Sequence, residues 1–274
     1  MSKLTALDLC SGVGAGFPFA MLQLGFNLIG VSEIDEYCSG ILSKRFPDVC
    51  NYGDVRSLPV RDIRKQWGEI DVVTASPPCQ PFSVQGKRQG EDDPRDCFPA
   101  VKRAIESIRP KFFCIENVPG LLTCRRNPSS QTLYLQHFLR QVAKLGYDAE
   151  WLCVGSGHFA SPYLRERLLL VGISRGVKLD WERATPWPEQ ARSTIETART
   201  VSQRRGIKTG FPTQWLQSPA LLPRPLGLPS RNATTRRMRQ AAGNLFDPRV
   251  AAIALNRIVY LNSLCRDLYV SYQG

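Results

Sequence analysis

Short apolar runs alternate with amphipathic segments along the first 174 residues of the chain. The apolar runs cover residues 4–9, 28–33, 71–76, 111–116, 149–154 and 168–173. Between them, residues 17–26, 98–108 and 132–145 carry apolar positions at helical spacing. Nearly continuous apolar strands separated by helices are typical of a parallel sheet covered on both faces. The pattern therefore predicts an α/β fold with a doubly wound, mostly parallel sheet.

The pattern changes after Ser174. Residues 175–239 contain seven prolines and few periodic segments, which is typical of a small irregular module or a long insertion. Helical periodicity returns over residues 247–268, where Pro248 suits the first turn of a helix. We therefore expect residues 1–174 and 240–274 to form one large domain, with residues 175–239 as a small second region.

Positive charge is concentrated in this second region. The chain has a net charge of +12, and residues 175–239 hold 13 Lys and Arg against four acids, which gives +9. A clustered positive field suits a polyanion such as nucleic acid. The alternative is a solvated basic face without a partner.

Composition excludes several other classes of protein. Hydrophobic residues make up 43% of the chain, so a packed core is expected. No apolar run reaches the roughly 18 residues of a membrane span, and the N-terminal "MSKLTALDLC" lacks the features of a signal peptide. The nine cysteines are odd in number and show no C-x-x-C spacing. We expect buried free thiols in a reducing cytoplasm, with neither a metal site nor a disulfide framework.

A glycine-rich turn follows the first apolar run. Gly12, Gly14 and Gly16 lie between a predicted strand and a predicted helix, and Glu33 ends the next strand 21 residues after Gly12. Such a turn lets backbone approach a ligand closely, and an acid at that position accepts hydrogen bonds from ribose hydroxyls. The order predicts an adenosine-bearing cofactor: NAD, FAD or S-adenosylmethionine. The alternative is a tight turn with a surface acid.

A cysteine stands between prolines at the end of the third apolar run. Pro77 and Pro78 fix the backbone ahead of Cys79 in "ASPPCQPFS". Ligands of open parallel sheets bind at the carboxyl ends of the strands. Cys79 is therefore a candidate nucleophile if it becomes a thiolate. The alternative is an ordinary loop cysteine.

Two further segments place charged groups near the same edge. Glu116 ends the next strand in "FFCIENVPG" and is a candidate acid beside the nucleophile. Arg165 and Arg167 alternate along an extended segment in "SPYLRERLLLVGI", so both guanidinium groups lie on one side. Two such groups can bind a carbonyl, a carboxylate or a phosphate. The alternatives are a surface glutamate and a salt-bridged strand edge.

These motifs together resemble those of the DNA (cytosine-5) methyltransferases. The resemblance rests on the segments "PPCQPFS", "ENVPG" and "RERLLLVG", which follow the glycine turn in this order, and on the tail "RQAAGNLFDPRVAAIALNRI". The resemblance covers roughly residues 4–173 and 239–258. It implies a Rossmann-like, S-adenosylmethionine-dependent methyltransferase. The basic stretch 175–238 falls where the family has its target-recognition region.

The resemblance implies a covalent mechanism on a cytosine that has been flipped out of the DNA duplex. The Cys79 thiolate would add to carbon 6, so that carbon 5 takes the methyl group of S-adenosylmethionine and S-adenosylhomocysteine is left. Glu116 would hydrogen-bond to or protonate cytosine N3, Arg167 would bind O2, and Arg165 would support the same site. The positive charge of the arginines would also favour a thiolate at Cys79.

The resemblance also implies where cofactor and DNA bind. Gly12 and Gly14 would approach the methionine part, Glu33 the ribose, Ile34, Asp54 and Val55 the adenine, and Asn244 the methionine end, with Cys10 and Pro78 completing the cofactor site. The loop 80–96 would close over the DNA. Candidate DNA contacts are Ser83, Gln85, Lys87 and Arg88 in this loop and Arg204, Arg205, Lys208, Arg236 and Arg237 in the basic stretch.

Three positions depart from the usual family pattern. Cys10 stands where the family has a Phe that lies on the adenine, Tyr163 replaces a Gln, and Phe246 replaces a Val. None of these replaces Cys79, Glu116 or the two arginines, so we expect an active enzyme.

The leading hypothesis is a monomeric DNA methyltransferase that acts on a short target in double-stranded DNA. It would be located in the cytoplasm, associated with the nucleoid when bound to DNA, and would work either with a cognate restriction endonuclease or alone. The alternatives are an RNA-directed (tRNA) relative of the same family and a non-catalytic DNA-binding homologue. An NAD oxidoreductase is disfavoured because no hydride-transfer site is recognisable.

Overall fold

A computed structural model describes residues 3–159, 165–204 and 246–265, with backbone alone for residues 198–204. A seven-stranded sheet lies at its centre, in the order β3-β2-β1-β4-β5-β7-β6. The strands are β1 (Thr5–Leu9), β2 (Asn27–Ser32), β3 (Cys50–Asn51), β4 (Val72–Ala75), β5 (Phe112–Asn117), β6 (Tyr147–Gly155) and β7 (Glu166–Ser174). Six of them overlap the apolar runs of the sequence, and β3 is an additional short strand.

The sheet is mostly parallel, as predicted. The pairs β1–β2, β1–β4, β2–β3 and β4–β5 run parallel, whereas β7 runs antiparallel to both β5 and β6. Because β7 points the opposite way, its first residues lie at the carboxyl edge of β5. This reversal brings the arginine motif to the edge where the other strands end.

Helices cover both faces of the sheet. They are α1 (Phe17–Gln23), α2 (Glu36–Arg45), α3 (Val60–Trp67), α4 (Phe98–Ile108), α5 (Tyr134–Lys144), α6 (Trp187–Arg204) and α7 (Pro248–Ser263). The predicted segments at 17–26, 98–108, 132–145 and 247–268 correspond to α1, α4, α5 and α7. Asp247 caps α7 by accepting a hydrogen bond from the Arg249 amide at 2.9 Å, and Pro248 occupies the first turn as predicted.

Alternating strand residues supply two separate cores. Ala6, Val72 and Phe112 face one cluster, which α1 and α7 complete. Their chain neighbours, such as Leu7 and Phe113, face the other cluster, which α3, α4 and α5 complete. Full burial of one such large apolar side chain contributes about 1.5–3 kcal/mol, so both faces of the sheet stabilise the fold.

Helix α6 lies within the stretch that the sequence pattern describes as irregular. Trp187 and Ala191 are buried in the same core as α7, so the start of α6 packs on the large domain. Leu179, which lies between β7 and α6, also forms a β-bridge with Cys265, just after α7. The domain boundary at residue 175 stays a prediction, and residues 205–245 lie outside the described part of the chain.

Among the described helices, none combines the length and apolar character that crossing a bilayer requires.

Candidate active site

A cleft of about 280 Å³ opens at the carboxyl edge of the parallel strands. The turns after β1, β2, β3 and β4 line it, together with Glu116 near the end of β5 and the arginines at the start of β7, as expected for an open α/β sheet. Eleven of the residues predicted from the sequence line this one cleft: Cys10, Gly12, Glu33, Ile34, Asp54, Val55, Pro78, Cys79, Glu116, Arg165 and Arg167.

The turn after β4 positions Cys79 at the wall of the cleft. The amides of Phe82 and Ser83 both donate to the Cys79 carbonyl, at 3.0 and 2.9 Å. The Phe82 ring is fully buried against Phe98 and Tyr134, with ring centroids 5.3 and 4.6 Å away. The buried Phe82 ring therefore holds the turn in place, while Cys79 remains partly accessible to solvent.

Glu116 and Arg167 form a buried ion pair beside Cys79. Arg167 Nε lies 2.5 Å from Glu116 Oε1, and both side chains are more than nine-tenths buried. They meet because Glu116 lies near the end of β5, whereas Arg167 lies near the start of antiparallel β7. The next residue, Asn117, donates from Nδ2 to the Pro77 carbonyl at 3.1 Å. This hydrogen bond joins the end of β5, where Glu116 lies, to the turn that carries Cys79.

Burial controls protonation at this site. It raises the pKa of Glu116, against the lowering effects of Arg167, Arg165 and Ser76. Burial, together with the Glu116 charge, also raises the pKa of Cys79, although Arg167 and Arg165 lower it. The arginines thus favour a thiolate as expected, but burial outweighs them. The resting site holds a neutral thiol next to a carboxyl group that gains a proton readily.

Arg165 lies in the same charged cluster. Its pKa is lowered to about 10, mainly by burial and by the neighbouring Arg167 charge, with opposite contributions from Glu116 and Cys79. It therefore carries its charge at neutral pH at the cleft wall. A negatively polarised oxygen brought into the cleft would meet two guanidinium groups.

The glycine turn after β1 is held by Glu33. The Gly12 amide donates to Glu33 Oε2 at 2.7 Å, and the Asp35 amide donates to Oε1 at 2.8 Å. Gly12 has a φ of +56°, and a Cβ there would meet no atom within 4 Å. The turn therefore offers open backbone to a ligand, and Glu33 lies directly behind it with a pKa raised by burial.

Gly14, which is also predicted to approach the cofactor, lies against α2. It does not line the cleft; a Cβ there would lie 2.4 Å from the Phe46 ring and 2.8 Å from Leu42. Its missing side chain allows the turn to pack on α2. Gly16 is equally restricted, because a Cβ would lie 2.0 Å from the ring of Phe246, which itself lines the cleft.

The remaining predicted cofactor residues differ in exposure. Ile34 is 65% exposed at the rim of the cleft, so it offers apolar surface to a planar ring. Val55 is buried, and Asp54 caps the short turn that begins there by accepting from the Arg56 amide at 2.9 Å.

Cys10, at the position of the usual Phe, lies beside a second thiol. Cys97 at the start of α4 also lines the cleft. A hydrogen bond between the two groups raises the pKa of Cys10 and lowers that of Cys97. This end of the cleft therefore has two small polarisable thiols in place of an aromatic ring.

The predicted DNA contacts in the loop after Cys79 are not equivalent. Gln85 and Lys87 are exposed and Ser83 is half-buried, whereas the guanidinium group of Arg88 donates to Gly120 and Thr123. Other predicted positions lie outside the described side chains: Tyr163, Arg204, Arg205, Lys208, Arg236, Arg237 and Asn244.

Sequence reasoning missed Arg95. This side chain lines the cleft, and its Nε and Nη2 donate to the carboxylate of buried Asp93 at 2.9 and 2.7 Å. The hydrogen bonds to Asp93 raise the pKa of Arg95, and a thiolate at Cys79 would raise it further. The Pro-Arg step in the loop is the only signal in the sequence, and it does not distinguish a cleft residue from a surface residue. Phe246 was noted as a departure, but its contact with Gly16 joins residues 230 positions apart in the chain.

The cleft fits a cofactor of the S-adenosylmethionine type better than a metal ion. The open backbone of Gly12, the Glu33 carboxylate and the exposed Ile34 suit a cationic ligand with an adenosine part. Within residues 3–159, 165–204 and 246–265, no group of three or more His, Cys, Asp or Glu side chains is placed to hold a metal ion.

Solved structures with a similar fold support this picture. A putative DNA modification methyltransferase encoded within an E. coli prophage is 25% identical with a TM-score of 0.53, over 65% of this chain and 49% of that chain. A triple mutant of Spodoptera frugiperda DNMT2 has a TM-score of 0.60 at 16% identity, over 94% of this chain and all of that chain. The second likeness concerns the fold alone.

Curated relatives include two bacterial enzymes and a phage enzyme. Type II methyltransferase M.NgoMIV of Neisseria gonorrhoeae is 32% identical over 73% of this chain and 59% of its own length. Type II methyltransferase M.NgoBV of the same species is 33% identical over 78% and 48%. Orphan methyltransferase M.SPRI of Bacillus phage SPR is 34% identical over 63% and 38%. The chain thus spans about half the length of these relatives.

The model of one protein family matches residues 4–216, which include the glycine turn, Cys79, Glu116 and both arginines. This match covers well over half of the chain and agrees with the fold and with the cleft. The chain belongs to the family of C-5 cytosine-specific DNA methylases.

Proposed function

We propose that this chain methylates carbon 5 of cytosine in DNA, through a transient covalent bond between Cys79 and the base. The observation that carries the proposal is the presence of Cys79, Glu116, Arg165 and Arg167 in one cleft with the glycine turn and Glu33. S-adenosylmethionine, bound over Gly12 and Glu33, would supply the methyl group as an electrophile. The base must leave the duplex to enter the cleft, which costs a few kcal/mol.

Each residue has a defined role in this chemistry. Cys79 loses its proton and forms a carbon–sulfur bond to carbon 6, which makes carbon 5 nucleophilic. Glu116 in its protonated form donates to N3 and so stabilises the electrons that the thiolate pushes into the ring. Arg165 and Arg167 hold O2. After methylation, carbon 5 loses its proton and the carbon–sulfur bond breaks, which returns the electron pair to sulfur.

The pKa directions support this division of roles. Burial raises the pKa of Glu116, which favours the proton that N3 needs. The neutral resting thiol at Cys79 is protected from side reactions until a substrate displaces water and meets the arginines. We further propose that residues 175–239 read a short target in double-stranded DNA, because most of the net positive charge lies there.

Tritiated methyl transfer tests the function directly. The chain is incubated with labelled S-adenosylmethionine and, side by side, with plasmid DNA or tRNA, and the modified bases are mapped. We expect 5-methylcytosine in DNA within a motif of a few base pairs. Label in tRNA alone would identify an RNA-directed enzyme, and label in neither would indicate a non-catalytic homologue. Mapping also shows whether the target matches that of an associated restriction endonuclease.

The nucleophile is tested with Cys79→Ser. We expect turnover to fall by at least about a thousandfold, because a hydroxyl is a far weaker nucleophile than a thiolate. Affinity for S-adenosylmethionine, measured by calorimetry, should change little, since Cys79 does not hold the glycine turn. Cys153→Ser, at a partly buried thiol on β6, is the matched control. Substantial turnover by Cys79→Ser would contradict the mechanism.

A further inference from the structure

The loop that follows Cys79 rests on the segment that follows Glu116. We call Ser83–Lys87 the loop tip, Arg88–Glu91 the loop stem, and Gly120–Asn127 the docking segment. Arg88 Nη2 donates to the Gly120 carbonyl at 3.1 Å and to Thr123 Oγ1 at 2.8 Å. Hydrogen bonds from a guanidinium group are stronger than those between neutral groups.

The backbone of Arg88 is held in an unusual conformation. Its φ of +53° lies in the left-handed region, which costs free energy for a residue with a side chain. The Cys124 thiol lies 3.8 Å from the Arg88 carbonyl and 3.7 Å from the Pro81 carbonyl, with the Arg125 carbonyl closer at 3.3 Å. The side chain of Arg88 therefore bonds to the docking segment, and its backbone lies against Cys124 of that segment.

The far end of the loop stem is fixed to the same segment. The Glu91 amide donates to the Arg126 carbonyl at 2.8 Å, and the Glu91 carboxylate accepts from Arg126 Nε at 2.6 Å and Asn127 Nδ2 at 2.8 Å. A Cβ at Gly90 would lie 2.2 Å from the Arg126 carbonyl oxygen, so the two backbones are in close contact. Fixed contacts thus bracket the stem, whereas Val84 to Lys87 in the tip are exposed.

We propose that Arg88 is a positioning residue that clamps the loop stem to the docking segment, so that the tip moves over the substrate from a fixed base. The inference rests on the proposed function of the cleft. It differs from the expectation that Arg88 binds a DNA phosphate, because its guanidinium group is engaged within the protein. The docking segment follows closely on Glu116 and Asn117, so the clamp keeps the tip in register with the catalytic acid.

Kinetics and salt dependence separate a clamp from a phosphate contact. Arg88→Met removes the cation, Thr123→Val removes an acceptor and leaves the charge, and Lys87→Met removes a neighbouring charge on the tip. A lost phosphate contact lowers the slope of log affinity against log salt by about one. We expect that loss for Lys87→Met and an unchanged slope for Arg88→Met and Thr123→Val.

The clamp also predicts coupled effects on turnover. We expect kcat to fall about tenfold in Arg88→Met and about threefold in Thr123→Val, with little change in DNA affinity. The double variant should be no slower than Arg88→Met alone, because both changes remove the same contact. A slope lowered by about one in Arg88→Met together with normal kcat in Thr123→Val would overturn the clamp.

Limited proteolysis tests the clamp without reference to methylation. Thr123→Val leaves the tryptic sites at Lys87 and Arg88 intact, and we expect several-fold faster cleavage there because the stem is released more often. Thr197→Val on α6 is the matched control, with an unchanged rate. Equal cleavage of wild type and Thr123→Val would refute the clamp, whereas a wild-type chain that lacks methyl transfer would refute the proposed function and leave this result standing.

Discussion

At the scale of single residues, the site combines groups whose protonation states oppose one another. The proposed mechanism needs a thiolate at Cys79 and a proton on Glu116, and one buried environment raises the pKa of both. The raised pKa favours the protonated form of Glu116 and disfavours the thiolate form of Cys79. Arg165 and Arg167 lower the pKa of Cys79 and so reduce the second effect, which gives the guanidinium groups an electrostatic role besides the binding role that we propose.

The alkylation rate of Cys79 measures this balance. Glu116→Gln removes the negative charge that raises the Cys79 pKa, so we expect iodoacetamide to modify Cys79 several-fold faster at a given pH below that pKa. Arg167→Met should slow the reaction, because it removes a cation that stabilises the thiolate. Peptide mass spectrometry distinguishes Cys79 from the other eight cysteines, and an unchanged rate in both variants would contradict the electrostatic account.

At the scale of secondary structure elements, glycines set how closely segments approach. Gly16, just before α1, faces the ring of Phe246, just before α7. The starts of α1 and α7 therefore approach each other so closely at the cleft that a methyl group on Gly16 has no room. Phe246 also packs edge-on against Phe17, with ring centroids 5.1 Å apart, so its ring has little freedom to move away.

A pair of substitutions tests this contact. Gly16→Ala should destabilise the fold by about 1–3 kcal/mol through overpacking and should weaken cofactor binding, because both residues line the cleft. Phe246→Val in the same chain should restore most of the loss by making room for the new methyl group. Thermal unfolding and calorimetry with S-adenosylmethionine measure both effects; a double variant no better than Gly16→Ala would contradict the steric explanation.

The sequence predicts the elements that bury apolar residues, and it fails where burial is slight. Helix α3 has apolar residues at helical spacing, Val60, Ile63 and Trp67, but they are few among charged residues and Ile63 alone is buried, so the segment does not stand out as apolar. Prolines conceal the start of α6. Strand direction is also invisible in the sequence, because β7 has the same apolar character as its parallel neighbours. Cys79 and Glu116 were predictable from strand ends, whereas Arg95 depends on a contact with Asp93 that no strand pattern reveals.

At the scale of the whole molecule, charge and chemistry occupy different parts of the chain. The proposed catalytic groups lie within residues 79–167, whereas residues 175–239 contribute +9 of the net charge of +12. A basic region in the same chain as a cleft concentrates a polyanion near the reacting groups. The proposed binding of DNA by this region therefore predicts that the affinity of the chain for DNA falls as the salt concentration rises.

Salt titration of DNA binding tests this division. Removal of two charges with Arg236→Ala and Arg237→Ala should lower the slope of log affinity against log salt by up to about two, since each phosphate contact releases a counterion. Affinity for S-adenosylmethionine should stay the same. Arg61→Ala with Lys65→Ala, at exposed positions on α3, is the matched control, and an equal drop in both double variants would argue against a dedicated DNA surface.

The bridge between Leu179 and Cys265 has an evolutionary consequence. Together with the packing of α6 on α7, it joins the chain leaving β7 to the end of α7, so the catalytic scaffold is closed by contacts that do not involve residues 205–245. An exchange of residues 205–238 would leave both junctions and the predicted cofactor residue Asn244 in place. Because we propose that the basic stretch reads the DNA target, we expect chimaeras that exchange residues 205–238 between relatives to acquire a new target preference on the same scaffold.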